Sequence, residues 1–285
     1  MSLIGHSSRV LTRGCIRNRK WEYHLTDESL EKQLAFLTRF LFSEPKDVSK
    51  QCWSWPPVHL QIRDKHLAGY WRSESEFPIH RTIYSKFGLS SEGELVAASS
   101  DCPLDGTISY DAKTGTASWI FRFDEPTEIT GYARLHLCMA TTEGNDIDLL
   151  DKLDKHSKLV DFPHHTVIND EAAAFGWLRA SRRKEAVHDG IDIKHTHVKE
   201  DEQLLAPNTP VELNLVIQPT SILFRKGESL KLTVQGHDSQ GHAPGRYSDS
   251  YLLGRFGTGR NQGQHVVFLK ESYLILPTVP AKHAV

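Results

Sequence analysis

Val211, Leu213, Leu215 and Ile217 alternate with Glu212, Asn214 and Val216, and Leu230, Leu232 and Val234 alternate with Ser229, Lys231 and Thr233. A period of two places one set of side chains on one face of a strand, ready for burial. Between the two runs lies PTSILFRKG, an apolar patch closed by Lys226-Gly227. The pattern predicts two antiparallel sandwich strands joined by a compact loop. Val58, Leu60 and Ile62 alternate in the same way. Further short strands are predicted at 83–89, 117–123, 129–141, 147–154, 175–183, 265–268 and 272–276.

One segment has the other period. Leu30, Leu34, Leu37 and Leu41 recur at helical spacing, with Phe40 beside them. Thr26 suits the N-cap, and Asp27 and Glu28 suit the positive end of a helix dipole. Ser43-Glu44-Pro45 stops the run, because proline disfavours helix at the residue before it. An amphipathic helix is therefore predicted over 26–42. A polar linker follows at 45–57. Asp105-Gly106, Thr114-Gly115, Glu143-Gly144-Asn145 and Lys226-Gly227 read as turns. Residues 235–264, rich in Gly, His, Ser and Asp, read as a long loop with a helical turn near 247–253. Many short strands punctuated in this way indicate a mainly β protein built as a sandwich.

Several segments carry a resemblance. The stretch around Pro219-Thr220-Ser221, with Phe224, Lys226 and Gly227, is similar to the C-terminal jelly roll of the X-prolyl dipeptidyl-peptidase and cocaine-esterase family of α/β-hydrolases. So is Phe175-Gly176-Trp177-Leu178-Arg179-Ala180-Ser181-Arg182-Arg183. Glu128-Ile129-Thr130-Gly131-Tyr132, the entry at Trp71, Phe77-Pro78 and Ile83-Tyr84, and the close from His265 to Pro277 also agree. The likeness runs from about Trp21 to Pro280. It implies a jelly-roll β-sandwich, galactose-binding-domain-like, over 55–285. Residues 1–54 would be the end of an α/β-hydrolase domain, with the helix as its last element.

The charge balance is nearly even, with 34 Lys and Arg against 36 Asp and Glu. No field of one sign is expected to steer nucleic acid or an anionic membrane. No apolar run reaches the roughly 20 residues that span a bilayer. Cys15, Cys52, Cys102 and Cys138 are widely spaced, which fits free thiols in the cytoplasm better than a disulfide framework. The first twenty residues are basic and lack Asp and Glu, as transit peptides do, but have no apolar h-region for secretion.

A hydrolase of this kind needs a nucleophile elbow, G-x-S-x-G, whose glycines allow the strained turn that exposes the serine to its histidine. Three G-x-S triplets occur: Gly5-His6-Ser7, Gly88-Leu89-Ser90 and Gly227-Glu228-Ser229. Arg9, Glu92 and Lys231 replace the second glycine. All three read as ordinary loop serines. The family's triad histidine would fall near Ile16, and its serine and aspartate further upstream. His24 reads as a helix-start residue. His195-Thr196-His197 places two imidazoles in reach of a zinc ion but lacks a third ligand with recognisable spacing. His164-His165 and His237 with His242 are looser still. Asn145-Asp146-Ile147-Asp148 lacks the rest of a calcium loop and reads as turn capping. Arg179, Arg182 and Arg183 read as solvated or ion-paired strand residues, with Arg179 and Arg183 on one face, and Trp177 as packing.

No catalytic, metal-binding or cofactor-binding residue is assigned, and no cofactor is expected. The resemblance implies a truncated member whose sandwich walls a substrate pocket without supplying the nucleophile. Three roles follow: an accessory domain of a dipeptidyl-peptidase-like serine hydrolase, a subunit completing a split hydrolase, or a carbohydrate- or ligand-binding jelly roll. The expected partner is an α/β-hydrolase catalytic domain or a second copy of the chain. The leucine stripe of 26–42 should then be partly uncovered in the isolated chain.

Overall fold

The computed structural model describes residues 15–16, 19–20, 27–41, 54–65, 68–97, 104–156, 174–189, 192–237 and 260–280. The elements in chain order begin with the two-residue strands β1 (Cys15–Ile16) and β2 (Arg19–Lys20), paired with each other, and helix α1 (Asp27–Leu41). Then come β3 (Val58–Lys65), β4 (Ala68–Glu74), β5 (Ile83–Leu89), β6 (Leu95–Ala97), β7 (Thr107–Asp111) and β8 (Thr116–Arg122). They are followed by β9 (Thr127–Gly131), β10 (Arg134–Gly144), β11 (Asp148–His156), β12 (Ala174–Arg179), β13 (Glu185–Asp189) and β14 (Asp192–His195). The last four are β15 (Val211–Val216), β16 (Thr220–Phe224), β17 (Ser229–Gln235) and β18 (Asn261–Val279).

Two sheets make the sandwich. The larger has ten strands, with the path β15-β10-β18-β9-β16-β3-β4; β5 and β7 pair with β18, and β6 pairs with β5. The smaller has the order β12-β11-β17-β8. Alternate side chains of both enter one core, which includes Leu135, Leu137, Leu213 and Leu215 from one sheet and Leu149, Leu230, Leu232 and Val234 from the other. Trp119 is fully buried there, and its indole N–H donates to the Ser90 carbonyl at 2.9 Å.

The period-two reading of 211–217 and 229–234 is matched by burial, but their pairing is not. β15 pairs with β10 in the large sheet, whereas β17 pairs with β11 and β8 in the small one. The expected loop between them is itself a strand. Ile222 and Phe224 of β16 are buried, and β16 pairs with β9. The chain thus crosses from one sheet to the other at the Arg225–Glu228 turn. Gly227 there has φ +85°, a conformation that favours glycine.

β18 also differs from expectation. It is one 19-residue strand rather than two, and its first four residues lie in the expected long loop. Its register against β10 shifts between Phe268 and Tyr273. Val267 and Leu269 are buried before the shift, and Ser272, Leu274 and Leu276 after it. The change of parity is a β-bulge, which keeps apolar residues inward on both sides of the irregularity. The 175–183 strand stops at Arg179, and Ala180–Arg182 is a 3₁₀ turn, so Arg179 and Arg183 do not share a strand face.

Candidate functional site: an uncovered helix face

The serine candidates fall in structural turns. Ser90 is buried between β5 and β6, and its hydroxyl accepts the Glu94 N–H at 3.0 Å. A Cβ at Gly88 would meet Leu104 at 2.2 Å, so that glycine serves close packing. In the third triplet, Glu228 accepts the Arg225 N–H and pairs with Lys155, and Ser229 opens β17 opposite Arg122. Among the described side chains, no histidine is hydrogen-bonded to either serine hydroxyl. Gly5-His6-Ser7, His24, His164, His165 and His242 lie outside the described residues.

The other candidates are also placed apart. His195 ends β14, half-buried, with its pKa lowered by burial, while His197 is exposed beyond the strand. Among the described residues no three His, Cys, Asp or Glu side chains gather as a metal site. Asp146 accepts the N–H groups of Ile147 and Ser181, at 3.0 and 2.8 Å. Asp148 accepts from Arg179 Nε at 2.7 Å, and burial raises its pKa despite that partner. These two carboxylates fasten the start of β11 to the turn after β12. Cys138 is buried, and burial pushes its thiol pKa up, away from the thiolate that nucleophilic chemistry requires.

Among the described residues, the feature without a structural explanation is the exposed apolar face of α1. Its first turn carries Asp27 and Glu28 and its last Arg39, as the dipole favours. Lys32 pairs with Glu28 at 2.8 Å, one turn away. The helix buries Ser29, Ala35 and Thr38. Leu30, Leu34, Phe36, Leu37, Phe40 and Leu41 stand 44–73% exposed. A helix on a finished domain surface turns its apolar stripe inward; this one turns it out.

On the side of α1 away from the leucines, Lys32 lies over the edge of the large sheet. Lys32 Nζ lies 5.4 Å from the centre of the Trp71 ring, which stacks on His59 at 4.6 Å. Trp71 is 38% exposed and Tyr70 beside it is also exposed. Both belong to β4, the last strand on that edge. β4 is held firmly from its other face: the Arg72 guanidinium reaches both Glu128 oxygens, at 2.5 and 2.7 Å, and Arg81 reaches both oxygens of Glu74. The sequence signalled the stripe, but the aromatic stack on β4 was missed, because Trp71 sits in a strand too polar to show alternation.

The family model described as the X-Pro dipeptidyl-peptidase C-terminal non-catalytic domain matches residues 53–274. Among solved structures, two crystal structures of a CocE/NonD family hydrolase from Staphylococcus aureus superpose on 92% of this chain, with 28% and 26% identity and TM-scores of 0.77 and 0.76. The match covers 48% of that protein, so this chain spans about half its length. An aminopeptidase from a marine-sediment Thaumarchaeota archaeon shares the fold at 14% identity and TM-score 0.56, over 86% of this chain and 43% of its own. An α-amino acid ester hydrolase does so at 15% and 0.53, over 86% and 44%. No curated protein matches the chain.

Proposed function

The chain belongs to the family of X-Pro dipeptidyl-peptidase C-terminal non-catalytic domains, and from that premise we propose that it is the β-sandwich half of a serine hydrolase of the dipeptidyl-peptidase and esterase type. Residues 55–285 form the sandwich. Residues 1–54, with α1, are the end of the α/β-hydrolase half, whose remainder is carried in the same polypeptide or in a separate one. The observation that carries this reading is the outward apolar face of α1. Such a face is stable in water only when another surface covers it.

The chemistry divides accordingly. Attack on an acyl carbon needs a serine hydroxyl, a base in contact with it and donors for the oxyanion. Those groups come from the hydrolase half. The sandwich supplies a rigid wall that orients the substrate and keeps water from the reacting carbonyl.

A chimera tests the reading: this chain replaces the matched half of the staphylococcal hydrolase. Fluorophosphonate should label the grafted hydrolase serine, and KM across a series of p-nitrophenyl acyl esters should change from the parent's, because the wall has changed. A labelled chimera whose kinetics equal those of the hydrolase half alone would contradict the wall role.

A further inference from the structure

Leu30, Leu34, Leu37 and Leu41 are spaced four, three and four residues apart. That is the alternation of core positions in a coiled coil, where leucines of one helix insert between those of another. All four are exposed, as is Phe40 at their side. Phe40 borders one side of this seam, and Phe36 lies further round the helix with its ring 4.6 Å from that of Phe40.

We propose that in the free chain this seam is closed by a second copy, the two α1 helices pairing antiparallel about a two-fold axis. The inference goes beyond the reading above and is carried by the helix alone. A two-fold axis requires a patch complementary to itself, and a leucine seam bordered by Phe40 meets that need. Antiparallel pairing sets the acidic first turn, Asp27 and Glu28, near the partner's last turn, where Arg39 sits. It also opposes the two helix dipoles, positive end to negative end.

The areas agree. The four leucines and Phe40, more than half exposed on average, present roughly 600 Å² of surface per helix, so a pair would bury up to roughly 1,200 Å² in total. That reaches the lower bound of about 1,200 Å² for specific, stable protein interfaces. A dimer resting on that lower bound can be dissociated by a partner offering a larger surface. A hydrolase half that uses α1 therefore competes with the second copy, and the two assemblies exclude each other.

Sedimentation velocity on the full 285-residue chain tests the pairing. The expected species is twice the 32.3 kDa protomer, falling to a monomer on dilution toward the nanomolar range. The double variant Leu34→Glu, Leu37→Glu should be monomeric at every concentration while keeping the wild-type near-ultraviolet circular dichroism of the sandwich. A wild-type chain that is monomeric at 100 µM (about 3 mg/ml) overturns the proposal. So does a dimer that survives in the double variant, because its interface then lies elsewhere. Either failure leaves the chimera kinetics unaffected, so the two readings fall separately.

Discussion

Lys155 Nζ and Glu228 Oε2 stand 2.8 Å apart, with the lysine side chain wholly buried. The same ammonium donates to the backbone carbonyls of Asp64, at 2.6 Å, and Leu223, at 2.8 Å. Lys155 lies on β11 in the small sheet, while Asp64 and Leu223 lie on β3 and β16 in the large one. One side chain therefore pins the two sheets together beside the turn where the chain crosses between them. Removing one partner of a buried ion pair costs about 3–5 kcal/mol. Lys155→Met should lie near the lower figure, about 3 kcal/mol, because Glu228 is partly exposed and still accepts the Arg225 N–H. Urea unfolding measures it; a midpoint equal to wild type would show that the clamp contributes nothing.

Two ionisable groups inside the sandwich should give opposite pH responses. Asp151 is fully buried, a Cβ on Gly176 would lie 2.6 Å from its carboxylate oxygens, and burial pushes its pKa up to about 7. Between the unfolded value near 4 and about 7, only the folded state holds the proton, so stability falls as pH rises. His265 is buried against Tyr110, and burial lowers its pKa to about 4. Between about 4 and 6.5 only its unfolded state is protonated, so stability rises with pH. Each limiting slope is about 1.4 kcal/mol per pH unit, and in the wild type the two oppose each other. Asp151→Leu should leave a stability that rises from pH 4.5 to 6.5, and His265→Phe one that falls. Denaturant midpoints across that range decide it, and parallel profiles for the two variants would refute the assignment.

The bulge in β18 depends on Ser272. Its hydroxyl accepts the Cys138 N–H at 3.0 Å and donates to the Phe268 carbonyl at 2.6 Å. It supplies the ladder bond that the register shift removes from β10. Ser272→Ala leaves a buried N–H unpaired and should cost about 1–3 kcal/mol. Hydrogen exchange at Cys138 reports it directly: that amide should exchange much faster in the variant, and equal protection would show that the backbone finds another partner.

The legible parts of this molecule are those where local pattern and burial coincide. Helix 26–42 is found as α1 within one residue at each end, and 83–89 is β5. The pairing of β15 and β17 was not legible, because alternation states which face is buried but not which strand lies alongside. β18 read as two strands because the bulge at Lys270–Ser272 shifts its parity, and sequence alternation stops there. α1 was legible as amphipathic, yet the pattern alone could not say that Ser29, Ala35 and Thr38 would face inward. Lys155 was not legible at all. Its partners come from residues 64, 223 and 228, and only the fold brings them to one ammonium.

In the proposed reading, this sandwich walls a hydrolase site and does not supply its nucleophile. Intact-mass spectrometry of the purified 285-residue chain after treatment with a fluorophosphonate probe tests it most directly. The mass is expected to stay unchanged at probe concentrations that saturate an active serine hydrolase. A stoichiometric adduct that maps to any serine within residues 55–285 would contradict it.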